Sequence, residues 1–166
     1  RRDDGNSLSF DGPKLAERLE ILGAPVVTLD FSVDRPVAKI AVRLCDVFPD
    51  GASSRVTYTQ FNLTHRDGHA SPESLAPGKR YRTAIALNHT AHSFLPGHRL
   101  RVAISTSYWP QMWPAPEPVT LTVFAGASRL DLPVRAKRPE DQRLRRFDAP
   151  EGAPALTDID LRPDRT

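Results

Sequence analysis

The chain has 166 residues, of which 39% are hydrophobic and 26% charged, and a formal net charge of +3. That length holds one domain with a real core, but not a typical catalytic α/β domain with an accessory domain beside it. The charge is too small and too evenly spread for a polybasic nucleic-acid binder, and no apolar run approaches the roughly 20 residues of a membrane-spanning helix, so neither nucleic acid nor a membrane is expected as a partner.

Cys45 is the single cysteine, which rules out an intramolecular disulfide and a multi-cysteine zinc site. It is compatible with a reducing compartment and leans the expectation to the cytoplasm. The chain opens Arg-Arg-Asp-Asp, without Met and without an apolar leader, as a segment cut from a longer polypeptide would. Residues 1–134 carry 15 basic and 13 acidic side chains, and residues 135–166 carry 8 and 7. Within the second part Arg135, Lys137, Arg138, Arg143, Arg145 and Arg146 face only Glu140 and Asp141. With no aromatic side chains interleaved to stack bases, this cluster reads as a solvated or domain-contacting arm.

In chain order, an early strand is expected over Leu15–Leu22. Val27, Leu29, Phe31 and Val33 alternate with Thr28, Asp30, Ser32 and Asp34, which predicts a strand over 25–33 with one face in the core and one in water. Residues 37–48 repeat the pattern through Ala38, Ile40, Val42 and Leu44, and the Pro49-Asp50-Gly51 turn reverses the chain into Arg55–Thr64. There Val56 and Tyr58 lie on one parity and Phe61 and Leu63 on the other, so a bulge is expected near Thr59-Gln60. Residues 65–78 are polar and rich in Pro and Gly, a surface connection with one helical turn at Ser71–Ser74.

Tyr81, Thr83, Ile85 and Leu87 form the next alternating strand. Pro96, with its fixed φ, and Gly97, free to take φ > 0, make a tight turn into the strand Leu100, Val102, Ile104. Val119, Leu121 and Val123 follow, then a short strand near 128–134. The prolines after Val134 predict an extended arm, 135–166, packed on the 1–134 domain and gaining one edge strand at Thr157–Leu161. Sixteen prolines, frequent Thr and Val, and a turn about every ten residues favour an all-β, antiparallel two-sheet β-sandwich of the jelly-roll kind.

Chemistry is sparse in this pattern. No Gly-x-Ser-x-Gly elbow displays a nucleophile. Asp46, His98 and Ser105 form a nominal triad of the sort that any chain with five His and many Ser and Asp residues offers many times over. His89 and His92 are spaced by three, which on a strand sends them to opposite faces, and no nearby carboxylate completes a metal site. No catalytic residue, cofactor or metal is therefore assigned. His98 shares the parity of Leu100 and Val102, and Asp46 that of Ile40, Val42 and Leu44, so a structural His98–Asp46 contact is expected, with Arg99 and Arg43 pairing carboxylates on the other face. Tyr108, Trp109, Met112 and Trp113 crowd into a loop with Pro110, Pro114, Pro116 and Pro118. That loop is either a cap on the sandwich or a contact surface, since Trp, Tyr and Met are the residue types that dominate interfaces.

Ser7-Leu8-Ser9-Phe10, the run Ile21 to Val27 (ILGAPVV), Val42-Arg43-Leu44-Cys45-Asp46-Val47 leading to Pro49-Asp50-Gly51, Asn62-Leu63-Thr64-His65-Arg66, and Phe94-Leu95-Pro96-Gly97-His98-Arg99-Leu100-Arg101 resemble, in order and spacing, a known family. It is the C-terminal domain of Xaa-Pro dipeptidyl-peptidases and of the related cocaine esterase and acyl-hydrolase group. The resemblance runs over most of the chain. It implies a jelly roll similar to galactose-binding domains, attached to an α/β-hydrolase catalytic domain of the same polypeptide that supplies the nucleophile, acid and base. The domain would be non-catalytic, would pack on its partner and would frame the substrate cleft of a serine hydrolase acting on esters or Xaa-Pro amides. Pro96, Gly97, His98, Arg99 and Asp46 then serve structure, and Tyr108, Trp109, Met112 and Trp113 serve the interface. A severed interface should persist as an exposed apolar patch that includes the 108–118 loop. The competing reading is a carbohydrate-binding module that stacks a sugar on Trp109 or Trp113. Homo-oligomerisation is left open.

Overall fold

The computed structural model describes residues 6–153. Its strands are β1 (Leu8–Asp11), β2 (Leu19–Gly23), β3 (Val26–Val33), β4 (Lys39–Val47), β5 (Ser53–Asn62), β6 (Tyr81–Ala86), β7 (Thr90–Phe94), β8 (Arg99–Ser105), β9 (Leu121–Val123) and β10 (Arg129–Asp131). Short 3-10 turns at Leu63–His65, Ala125–Ala127 and Pro139–Arg143 are the only helical pieces among the described residues. One sheet has the order β1-β8-β4-β5; a second has β10-β3-β6, with β9 also on β3; and β2 pairs with β7. Every pairing is antiparallel. The protein is thus an all-β antiparallel sandwich.

The core lies between the two larger sheets, where Leu29, Phe31, Ile40, Val42, Leu44 and Ile85 are all at most 1% exposed. Each such side chain contributes roughly 1.5–3 kcal/mol by leaving water. The chain divides into two compact units, 1–136 and 137–166. In the second, the backbone N–H of Arg138 donates to Asp141 at 3.0 Å and Arg145 pairs with Asp148 at 2.7 Å. The strand expected at Thr157–Leu161 lies outside the described residues.

Several local expectations are corrected. The register shift lies at Leu44/Cys45, where Leu44 opposes Thr57 and Cys45 opposes Arg55. The extra residue is therefore Val56, not Thr59-Gln60. One inserted residue lets Val56 and Phe61, of opposite parity, both pack on the core. The helical turn falls at Leu63–His65, not at Ser71–Ser74, because the Asn62 side chain caps it by accepting the Thr64 N–H at 3.1 Å. Ser71 precedes a proline, which disfavours α geometry, and the Glu73 N–H is already donated to the Thr64 carbonyl. The early strand begins at Leu19 rather than Leu15, and β1 and β7 are additional strands.

The half-wet face expected for β3 is also covered, since Thr28 and Asp30 are 9% and 6% exposed. Arg80 pairs with Asp30 at 2.5 Å, Arg82 approaches it at 3.7 Å, and the Asp30 backbone N–H donates to Ser128 Oγ. The hydrogen bond from Arg80 holds the Asp30 carboxyl below the usual carboxylate range, against the opposing effect of burial, with the charges of Arg80 and Arg82 adding to it. A lowered native pKa supplies stability that is present above the unfolded value, near 4, and is lost as pH falls through the native one. Asp30→Asn is accordingly expected to be less stable than the wild type at pH 7 and to converge with it in acid, as read from urea unfolding midpoints at pH 7, 4 and 2.5.

Candidate functional site

The aromatic loop after β8 is a tight turn. The Met112 N–H donates to the Tyr108 carbonyl at 2.7 Å, the two residues form an isolated bridge, and the Trp109–Pro110 peptide is cis. This closure divides four large side chains into two pairs. Tyr108 and Met112 are buried against Ala41, with Tyr58 packed beside them. Trp109 and Trp113 remain 59% and 71% exposed, in edge-to-face contact at 5.4 Å with an interplanar angle of 61°. The inner pair therefore caps the sandwich, and the outer pair is left exposed. The indoles are tilted and not coplanar, so they do not form one continuous flat platform.

Beneath the loop, on the face of β4 and β5 turned away from the core, is a ladder of cations and rings. Arg43 is fully buried, donates to Ser7 Oγ, and places its guanidinium carbon 4.7 Å from the centre of the Tyr108 ring. Arg55 donates to the Tyr108 hydroxyl and lies 4.3 Å over the Tyr58 ring. At the other end Lys39 Nζ donates to the Trp113 carbonyl at 3.4 Å. Sequence reasoning gives Arg55 no role, and the structure gives it two aromatic partners; the described partners of Arg43 include a hydroxyl and an aromatic face.

The remaining named residues sit around the start of β8. Gly97 has φ +83° and donates its N–H to the Leu15 carbonyl; the His98 carbonyl accepts from Leu15; and Arg99 Nη1 donates to the Gly12 carbonyl at 3.0 Å. Pro96 shapes the same turn. Asp46, 3% exposed, lies between two imidazoles, with His98 Nδ1 at 2.8 Å from Oδ1 and His92 Nε2 at 3.1 Å from Oδ2. His98 also tilts against Phe48, and His92 against Phe94. His92 was considered only with His89. Once Thr90–Phe94 is a strand, His92 shares the parity of buried Phe94, and that signal locates it. His89 is exposed and apart from this cluster.

Ser105 does not join Asp46 and His98. It lies seven residues along β8 from His98, roughly 23 Å at the rise of a strand, and its hydroxyl donates to the Ser107 carbonyl. Among the described residues no cluster of three or more His, Cys, Asp or Glu side chains is arranged to hold a metal. Asp11 accepts two bonds from Arg101, at 2.6 and 2.8 Å, which hold its carboxyl below the usual range.

A protein-family model described as the X-Pro dipeptidyl-peptidase C-terminal non-catalytic domain matches residues 1–143. The chain is similar to cocaine esterase of Rhodococcus sp. (strain MB1 Bresler), 30% identical over 110 residues, covering 66% of this chain and 19% of that protein. It is also similar to the putative serine esterase Mb1866c of Mycobacterium bovis, 31% identical over 159 residues, covering 81% of this chain and 25% of the relative. Among solved structures, an alpha-amino acid ester hydrolase aligns over 81% of this chain and 27% of its own, with 28% identity and a TM-score of 0.71. The chain thus spans about a quarter or less of the length of the curated relatives it matches.

Two outcomes follow from this geometry. Removing the carboxylate in Asp46→Ala leaves two imidazoles without their shared acceptor and should cost about 2–4 kcal/mol, against less than about 0.5 for Ser105→Ala, in denaturant unfolding. Tyr108→Ala should cost about 3 kcal/mol or more, whereas Trp113→Ala should leave the stability of the chain within about 0.5 kcal/mol of wild type.

Proposed function

The chain belongs to the family of X-Pro dipeptidyl-peptidase C-terminal non-catalytic domains, and from that premise we propose that it is the accessory domain of a larger serine hydrolase, packing on an α/β-hydrolase catalytic domain of the same polypeptide and helping to frame its substrate cleft. The substrates proposed for the parent are esters or amides, including Xaa-Pro amides. The observation that carries this reading is the division of the aromatic loop. Tyr108 and Met112 join a buried cluster of the domain, whereas Trp109 and Trp113 stand largely exposed. A pair of indoles held at fixed positions on a buried anchor supplies large contact area at little cost in side-chain entropy.

The test is to combine this chain with the separately produced catalytic portion of its parent and to follow association together with hydrolysis of a p-nitrophenyl ester and an Xaa-Pro anilide. Association that raises hydrolysis is expected, with Trp109→Ala and Trp113→Ala each weakening it about tenfold or more. Turnover by this chain alone that disappears on substituting one of its own serines would overturn the proposal. So would specific glycan binding lost in Trp109→Ala, which would assign the indoles to a sugar.

A further inference from the structure

The stripe of β4 and β5 that carries the aromatic loop has a cation at each end, Lys39 and Arg55, and among the described residues no acid is paired with either. Arg55 has aromatic partners only, the Tyr58 ring and the Tyr108 hydroxyl and ring. Lys39 donates to a backbone carbonyl. Among the described residues no carboxylate pairs with either, whereas elsewhere on the domain Asp11, Asp30, Asp131 and Glu20 are each engaged by an arginine. Arg55 is exposed, and its planar group is held against Tyr58 with Nη1 committed to the Tyr108 hydroxyl. Nε and Nη2 have no hydrogen-bond acceptor among the described residues, which leaves two parallel donors, the pattern that a carboxylate accepts bidentately.

We propose that Arg55 is the anchor of this face and receives a carboxylate, an Asp or Glu side chain, from the catalytic domain that covers Trp109 and Trp113. This rests on the accessory-domain reading and adds the chemistry of its partner: an apolar surface carrying an acidic residue opposite β5. Three features support that occupant over others. Stacking on Tyr58 restricts the guanidinium before binding, so less freedom is lost when the pair forms. Tyr108, which takes Nη1, directly precedes the exposed Trp109, so the cation and the apolar contact area share one anchor. Besides the fully buried Arg43 the stripe has two cations, Lys39 and, opposite Cys45, Arg55, about six residues apart along the strands; these are too few to track a phosphate backbone, which makes an acidic protein surface the better match.

The experiment compares wild type, Arg55→Lys and Arg55→Ala in two settings, the 166-residue chain and the intact parent polypeptide, by calorimetric unfolding with limited proteolysis. In the chain alone Arg55→Lys should leave Tm unchanged. In the intact polypeptide both substitutions should lower the transition of this domain by about 2–4 °C or more and hasten cleavage at the junction, and in binding of the two separate portions both should weaken association 10- to 100-fold. Arg55→Lys retains the charge and loses the fork, so its failure to rescue separates bidentate recognition from simple attraction. Equal shifts in both settings, with wild-type coupling intact, would overturn the role of Arg55 and leave the accessory reading standing. A wild-type parent whose domains unfold independently and do not associate would overturn the accessory reading and this proposal with it. Retention of random-sequence single-stranded DNA by this chain, lost in Trp109→Ala, would assign the same rings and cations to bases and also overturn it.

Discussion

The burial of β4 on both of its faces is the constraint from which the rest of this domain follows. From Ile40 to Val47 no residue exceeds 6% exposure. Its edges are taken by β5 and β8, so its backbone is fully paired, and its side chains must satisfy two surroundings in alternation. The even positions Ile40, Val42 and Leu44 enter the space between the sheets, where large apolar side chains are the only good solution. The odd positions Ala41, Arg43 and Cys45 lie under the aromatic loop. Small residues there admit the loop closely, and Arg43 imposes a condition on it. A guanidinium does not lose its proton on burial, so whatever covers it must accept hydrogen bonds or offer an aromatic face. Ser7 and Tyr108 provide these, which ties the placement of two segments remote in sequence to one side chain of β4.

That requirement also explains how the loop presents itself. Tyr108 and Met112 are joined across the turn by a backbone bond, so when the ring settles on Arg43 and the thioether on Ala41, the residues that follow each of them, Trp109 and Trp113, are turned outward together. The exposed indoles are thus held by the same contacts that bury the inner pair. The apolar area that the loop leaves in water is a consequence of how it covers β4, and its fixed geometry is what suits it to meet a second surface.

The strands facing the core were legible in the sequence because alternation is a local property. Val27 to Val33, Ile40 to Leu44 and Tyr81 to Leu87 each display the period of two that a buried face requires. Coverage of the other face was not legible, since it depends on partners far along the chain. Asp30 is enclosed by Arg80 and Ser128, and Arg43 by Ser7 and Tyr108, and nothing near Asp30 or Arg43 in sequence announces these arrivals. The same limit explains β1 and β7, which are four and five residues long. Neither shows a clear apolar alternation, since Leu8–Asp11 is exposed but for Phe10 and Thr90–Phe94 carries its buried Phe94 beside the polar Thr90, His92 and Ser93. The parity slip in β5 was visible, but parity fixes only that the strand carries an extra residue somewhere before Phe61. The opposing register with β4 decides where.

The stretch Phe94 to Arg101 belongs to assembly, and it acts on the aromatic loop at one remove. Its turn and the residues after it hold the segment before β2 along β8: Gly97 and His98 bond Leu15, Arg99 bonds the Gly12 carbonyl, the Leu100 carbonyl accepts from Gly12, and Arg101 grips Asp11. His98 at the same time fixes this corner to β4 through Asp46. The segment so held continues antiparallel to β8 as β1, from Asp11 opposite Arg101 back to Leu8 opposite Ile104, and just beyond it stands Ser7, the acceptor for Arg43. The clamp at one end of β8 therefore determines whether Arg43 is properly covered near the other, and with it whether Tyr108 has a settled place to lie. A change that loosens the clamp should accordingly disturb the aromatic loop without touching it. By this route a motif with no chemistry of its own controls the presentation of the exposed indole pair.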